Sequence, residues 1–265
     1  FAYPSRYILK HPMSFVHLHT HSMFSLLDGL SNVKSVVQRA KELGMPALGI
    51  TDHGVMHGAI EFYVACKEAQ ITPIIGMEAY LAARGMNDRD PALDRKNSHL
   101  LLLAQDLSGY QNLIKIATAA QLDGFYYRPR IDHDFLAEHS EGLICTSGCL
   151  AAEVPQAIIS GRDEEALRLL DFYWEIFGPS RFFFELQDHG LSDLHTVNKA
   201  LLELSSHYDA KFVATNDVHY INQEDAPLHD LLMCIRTNAL LSDQKRMRMN
   251  DDSYYLRSFE EMQRI

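Results

Sequence analysis

The sequence lacks a surplus of basic residues: 24 Lys and Arg face 35 Asp and Glu, giving a formal net charge of -11 over 265 residues. That balance excludes a broad basic face of the kind that grips nucleic-acid phosphates through clustered Lys and Arg. Bound divalent cations would offset part of the charge and focus it in one place. Cysteine is sparse too. Cys66, Cys145, Cys149 and Cys234 form no CxxC pair and lie in or beside apolar stretches, which excludes a disulfide framework and fits reduced thiols in a cytoplasmic protein. No apolar run approaches the roughly 18 residues of a membrane span, and the first dozen residues hold no signal-peptide core. No membrane partner is therefore expected. Gly/Ser-rich or Pro-rich linkers and low-complexity segments are also missing, so residues 13–265 are expected to form one globular domain. Residues 1–12 read as a leader or an added remnant ahead of Met13.

What is present is enough apolar sequence for a full core, with 47% hydrophobic and 22% charged residues, so neither disulfides nor a partner subunit are needed for folding. Short β-rich apolar runs alternate with amphipathic stretches, the pattern of βα units around a mostly parallel sheet. Strands are expected over 15–19, 47–51, 72–81, 99–104, 142–147, 181–187 and 211–216. Ser31 is expected to open a helix whose face carries Val33, Val36, Val37, Ala40 and Leu43, with Gly44 closing it. Further helices are expected over 59–69, 109–121, 163–177, 193–207 and 225–236, with Ser108 and Ser192 as N-caps. Seven βα units predict an α/β fold, a seven-stranded (β/α)7 barrel of the TIM type. Reactive groups in such barrels gather at the carboxyl ends of the strands.

The chemistry-bearing residues follow that rule. In His17-Leu18-His19, alternation along a strand points both imidazoles to one side, a geometry suited to two ligands on one ion. Asp28 lies in the following loop. Thr51-Asp52-His53-Gly54 ends the second strand, Glu78 lies on the third, and Asn216-Asp217-Val218-His219 ends the seventh; Cys149 lies just beyond the fifth. His99 fits less neatly, since it begins its strand. Any one of these histidines alone would pass as an ordinary polar loop residue, but their joint placement at separate strand ends points to bound metal. His21, His57 and His189 lie near the expected mouth without ligand spacing, and His11, His133, His139, His195, His207 and His229 read as ordinary helical or exposed residues. Imidazole, carboxylate and thiolate together suit Zn, Mn or Fe better than Mg or Ca. Such ions lower the pKa of water and stabilise both oxygens of an in-line phosphoryl displacement, so phosphate-ester hydrolysis is expected.

The set His17-x-His19, Asp28-Gly29, Thr51-Asp52-His53-Gly54, Glu78, His99, Cys149 and Asp217-x-His219 resembles the polymerase and histidinol phosphatase (PHP) family of metal-dependent phosphoesterases. Residues 15–19, 25–29, 51–54, 109–113 and 214–217 are similar to the amino-terminal domain of bacterial replicative DNA polymerase III alpha subunits. The resemblance runs from about Met13 to the end of the chain and implies a distorted seven-stranded barrel with three divalent ions. It implies nine ligands: His17, His19, Asp28, His53, Glu78, His99, Cys149, Asp217 and His219. His17, His19, Glu78 and Asp217 would share one ion, and Asp28, His53 and His219 a second. His99 and Cys149 would join a bridging Glu78 on the third. Asp217, Glu78, His19 and Asp52 would be the catalytic group, with Asp52 orienting His53 or a water. The implied activity is 3′–5′ proofreading hydrolysis at a DNA 3′ end, within a longer alpha subunit and in contact with other replisome subunits. The end of the chain within an apparent helix, residues 258–262, fits an excised domain.

The segment from Asp123 to Arg130 is the candidate for substrate contact, with Tyr126 and Tyr127 stacking on an unpaired base and Arg128 and Arg130 reaching phosphates. A structural loop with ordinary surface charge is the alternative. Two other functions stand beside the exonuclease: a non-catalytic module stabilised by metal, disfavoured by the complete ligand set, and a small-monoester phosphatase, disfavoured by the polymerase-like motifs.

Overall fold

Apolar residues at helical spacing decide the first element. Val33, Val36, Val37 and Ala40 are all buried in α1 (Val33–Glu42), each valine contributing about 1.5–3 kcal/mol when fully removed from water. The structure, a computed structural model, describes residues 14–265; the expected leader lies outside the described residues. After α1 come β1 (Ala47–Ile50), α2 (Ala59–Ala69), β2 (Thr72–Ala82), β3 (Asn97–Ala104) and α3 (Leu107–Leu122). β4 (Arg130–Ile131), α4 (His133–Glu138), β5 (Leu143–Thr146), α5 (Glu153–Ile159) and α6 (Asp163–Phe177) follow. The series continues with β6 (Phe182–Leu186), α7 (Ser192–Tyr208), β7 (Lys211–Ala214), α8 (Ala226–Thr237) and α9 (Phe259–Met262).

The fold is mixed α/β, around a curled sheet of order β1-β2-β3-β5-β6-β7 with β4 beside β2. It departs from the expected parallel arrangement at β3, which runs antiparallel to both β2 and β5. The cause is the connection over 83–96, which contains no helix; without a crossover helix the chain returns antiparallel. The expected strand over 15–19 is absent as a regular element. That segment is instead laid between β1 and the residues after β7. Gly49 N–H donates to the His17 carbonyl (2.7 Å) and Thr51 N–H to that of Thr20 (2.9 Å), while Val218 N–H donates to the His19 carbonyl (3.0 Å). Gly49 is required there, because a Cβ would lie 2.9 Å from the Leu18 carbonyl oxygen.

Two apolar clusters hold the elements. One packs β2, β3, β5 and β6 against α3, α6 and α7, around Leu100, Leu102, Leu113, Leu170, Phe182 and Leu201. The other joins α1, α2 and β1 through Val33, Val37, Leu48 and Phe62. The helix starts differ from expectation. Asn32, not Ser31, caps α1 by accepting from Lys34 and Ser35 N–H; Asp106, not Ser108, caps α3 by accepting from Gly109 N–H; Ser192 is the first residue of α7, with no side-chain cap. Gly44 closes α1 as expected, with φ +70°.

Candidate metal centre

Glu78 is the hub of the site. It sits on β2, fully buried, where the turn 52–54 is stitched alongside it by Gly54 N–H donating to the Glu78 carbonyl (2.8 Å). Its carboxylate lies 2.6 Å from His53 Nδ1, 3.0 Å from His99 Nδ1, 3.3 Å from His19 Nε2 and 3.6 Å from His21 Nε2. The Cys149 thiol is 3.3 Å away. The antiparallel run of β3 removes the difficulty with His99: the start of that strand lies at the edge where β2 ends, with His99 opposite Tyr80.

Two other carboxylates flank the hub. Asp217 Oδ1 lies 3.1 Å from His19 Nε2 and 3.2 Å from His21 Nε2. Asp28 Oδ2 lies 2.8 Å from His53 Nε2, and its other oxygen is 4.0 Å from His219 Nε2. Asp217 has φ +44°, a left-handed backbone that costs a non-glycine residue about 1–2 kcal/mol. Neighbouring Asn216 holds the turn by donating to the Ser253 and Tyr255 carbonyls (2.7 and 2.8 Å). Strain maintained in this way is common where a side chain must point at one spot.

The electrostatics favour positive charge at the centre. Burial opposes the charged forms throughout. Even so, His99, His53 and His19 hold the Glu78 carboxyl well below its usual range, and carboxylates hold His19 and His53 well above theirs. Burial pushes the Cys149 thiol well up, so a cation is needed to make it a thiolate. His19 Nε2, His53 Nδ1 and Glu78 Oε2 are buried in ion-pair contacts without a well-aligned hydrogen bond, and three groups offer converging donor atoms: His19, His21 and Asp217; His53, Glu78 and His99; and His21, His53 and His219. Buried lone pairs aimed at common points, from imidazole, carboxylate and thiol, fit divalent ions of the Zn, Mn or Fe type.

Eight of the nine expected ligands, all but His17, come together here. His17 faces away: its Nε2 donates to the Arg257 carbonyl (2.9 Å), it joins none of the three groups, and burial lowers its pKa to about 4. His21, which the sequence reading set aside, converges there and belongs to two of the groups. Asp52 does not touch the His53 ring. Its oxygens accept from Ser22 N–H (2.7 Å), Ser22 Oγ (2.8 Å) and Ser25 Oγ (2.7 Å), which ties the 22–25 turn beneath the site. The carboxylate that does meet one of the converging imidazoles is Glu185, unanticipated from sequence, whose Oε1 accepts from His19 Nδ1 (2.8 Å). His189 lines the cavity that opens above these residues, and His229 is buried, with Nε2 donating to the Asp28 carbonyl (2.7 Å). His57 lies apart, exposed in a separate groove beside α3.

The expected substrate segment is corrected at Arg130. Its guanidinium is fully buried and donates to the carbonyls of Gly124, Asp94, Met86 and Asp88 at 2.9–3.2 Å, so it staples a loop and reaches no phosphate. Tyr126 is half-buried over Arg130, and exposed Arg128 lies over the Tyr80 ring. None of Tyr126, Tyr127 and Arg128 lines the ≈ 390 Å³ cavity above the cluster.

Comparison with known proteins agrees with this geometry. The chain is 44% identical over 254 residues to DNA polymerase III subunit alpha of Treponema pallidum, covering 96% of this chain and 22% of the relative. It is 45% identical over 254 residues to the same subunit of Thermus aquaticus, covering 94% and 21%. The chain thus spans about a fifth of the length of these curated relatives. A structure described as a candidate metal-dependent phosphoesterase from Bifidobacterium adolescentis shares the fold, with a TM-score of 0.51 and 14% identity over 78% of this chain and 88% of the other. The PHP domain profile matches residues 17–189, from the first histidines through β6 to His189, and the chain belongs to the PHP domain family.

Proposed function

We propose that this chain hydrolyses phosphodiesters with divalent metal, as the 3′–5′ proofreading exonuclease domain of a bacterial DNA polymerase III alpha subunit. One observation carries the reading: the Glu78 carboxylate meets four imidazoles and a thiol, with Asp28 and Asp217 on either side. The residues that would hold metal are His19, His21, Asp28, His53, Glu78, His99, Cys149, Asp217 and His219. Nine donors exceed the needs of one ion and suit three. When bound, such ions lower the pKa of an attacking water and neutralise charge on the phosphoryl oxygens. Glu185 fixes His19 with its Nδ1 proton turned outward, leaving Nε2 for the site. Asp52 holds the 22–25 turn and so sets the approach of His21 and His53. The curled sheet, bridged by residues 17–22, is read as the distorted (β/α)7 barrel of the family.

A cavity of ≈ 390 Å³ is at the small end of ligand-holding pockets, about 300–1,000 Å³, a size for a single nucleotide and not a duplex. That supports action on an unpaired DNA 3′ end. The remainder of the alpha subunit and other replisome subunits are the proposed partners, and the cytoplasm, where the four buried free thiols stay reduced, is the proposed compartment. The test is hydrolysis of a 3′-mispaired primer by the metal-reconstituted chain, set beside a paired primer and a small phosphate monoester. Faster removal from the mispaired end is expected. Preference for the monoester would favour a small-molecule phosphatase.

A further inference from the structure

The motif-based candidates for phosphate contact, Arg128 and Arg130, do not line the cavity, yet two other arginines do. Arg236, near the end of α8, and Arg248, in the segment after it, line the same cavity as Asp28, His53, Asp217 and His219, and they are the only Lys or Arg among its described lining residues. In a chain of net charge -11, two guanidinium groups set at the mouth of a His and carboxylate cluster stand out.

Arg236 is partly exposed, at 21%, and pairs with Asp28 through Nη1. A guanidinium carries five N–H donors in a planar fork, so donors remain beyond that pair. Asp28 is itself shared with His53 Nε2, 2.8 Å away, and a metal held by Asp28 would offset part of its charge, leaving the guanidinium able to hold a second anion. Arg248 is exposed, and among the described residues no carboxylate lies within ion-pair distance of it. Neither residue belongs to the motifs that carry the family resemblance.

We propose that Arg236 and Arg248 form a clamp that binds the phosphate of the terminal nucleotide, Arg236 beside Asp28 and Arg248 from the rim. This rests on the phosphodiesterase reading and assigns its phosphate-holding residues. Paired arginines suit the task because each presents two parallel N–H bonds to phosphoryl oxygens.

The experiment measures inorganic phosphate binding by calorimetry to the metal-reconstituted chain, with metal content determined in parallel, for wild type, Arg236→Gln, Arg236→Lys and Arg248→Gln. Each Gln variant removes charge-assisted hydrogen bonds and is expected to weaken phosphate binding roughly tenfold or more, at unchanged metal content. Arg236→Lys should recover part of the loss. KM for the primer should rise in step. Arg248 is exposed, so its variant stays informative if Arg236→Gln folds poorly. Undiminished phosphate binding in both Gln variants overturns the proposal. So does metal loss in Arg236→Gln with normal phosphate affinity at the loaded sites, which would make Arg236 only a counter-ion for Asp28. If phosphate binds through the arginines but no primer is degraded, the exonuclease reading fails and the clamp stands. Primer hydrolysis at wild-type KM in both Gln variants removes the clamp and leaves the exonuclease reading intact.

Discussion

His17, His19 and His21 sit two apart in one extended segment, so strand alternation places all three on one side and cannot choose between the pairs 17/19 and 19/21. The irregular backbone makes the choice, turning His17 onto the Arg257 carbonyl and His21 onto Asp217. Glu185 was illegible for a different reason: nothing in its own β-strand marks a carboxylate whose partner lies 166 residues away. His21→Gln is expected to lower metal stoichiometry, whereas His17→Gln should keep it, as measured by metal analysis of the purified variants. His17 also carries a pH signature. Its folded pKa, near 4, lies below the unfolded value of 6.5, so the unfolded chain binds the extra proton between these values. Wild type should therefore lose stability relative to His17→Gln as pH falls from 6.5 towards 4, by up to about 3 kcal/mol. Denaturant unfolding at three pH values checks the sign. Asp217→Asn should cut hydrolysis by about 10²-fold or more, from lost charge at the centre, while the circular dichroism spectrum stays that of wild type.

At the scale of elements, periodicity located most of what formed. Helices expected over 59–69 and 163–177 are α2 and α6 with the same bounds, and the apolar face of α1 is buried as its spacing implies. Direction was not legible. Apolar runs mark β2 and β3 as strands but say nothing of their mutual sense, and the helix-free connection between them carries that information only when read for length and content. The caps show a similar limit, since Asp106 and Ser108 both satisfy the composition rule and only the extended backbone at Asp106 (φ -151°) selects it. Asp106→Ala is expected to cost about 1 kcal/mol in chemical denaturation, against no comparable loss for Ser108→Ala. Gly49→Ala should cost more, because its Cβ would meet backbone that cannot yield without moving the 17–21 segment, and with it His19.

For the whole molecule, the acidic composition excluded a basic binding face, and the structure gathers charge into a buried cluster with two arginines at its mouth. Eight of the candidate ligands were legible because most of them follow strand ends, whereas His21 was passed over in favour of His17; the arginines were not legible, because they follow no motif. If the cluster holds ions in the folded chain alone, stripping them with chelator should lower the melting temperature, and adding Mn or Zn should restore it by mass action. The account turns most directly on one assay, the rate at which metal-reconstituted wild type removes a 3′-mispaired nucleotide from a primer. Turnover that disappears with chelator and returns with Mn or Zn is the predicted result. Tight, stoichiometric metal with no removal of the mispaired nucleotide would contradict it and leave the cluster a structural element.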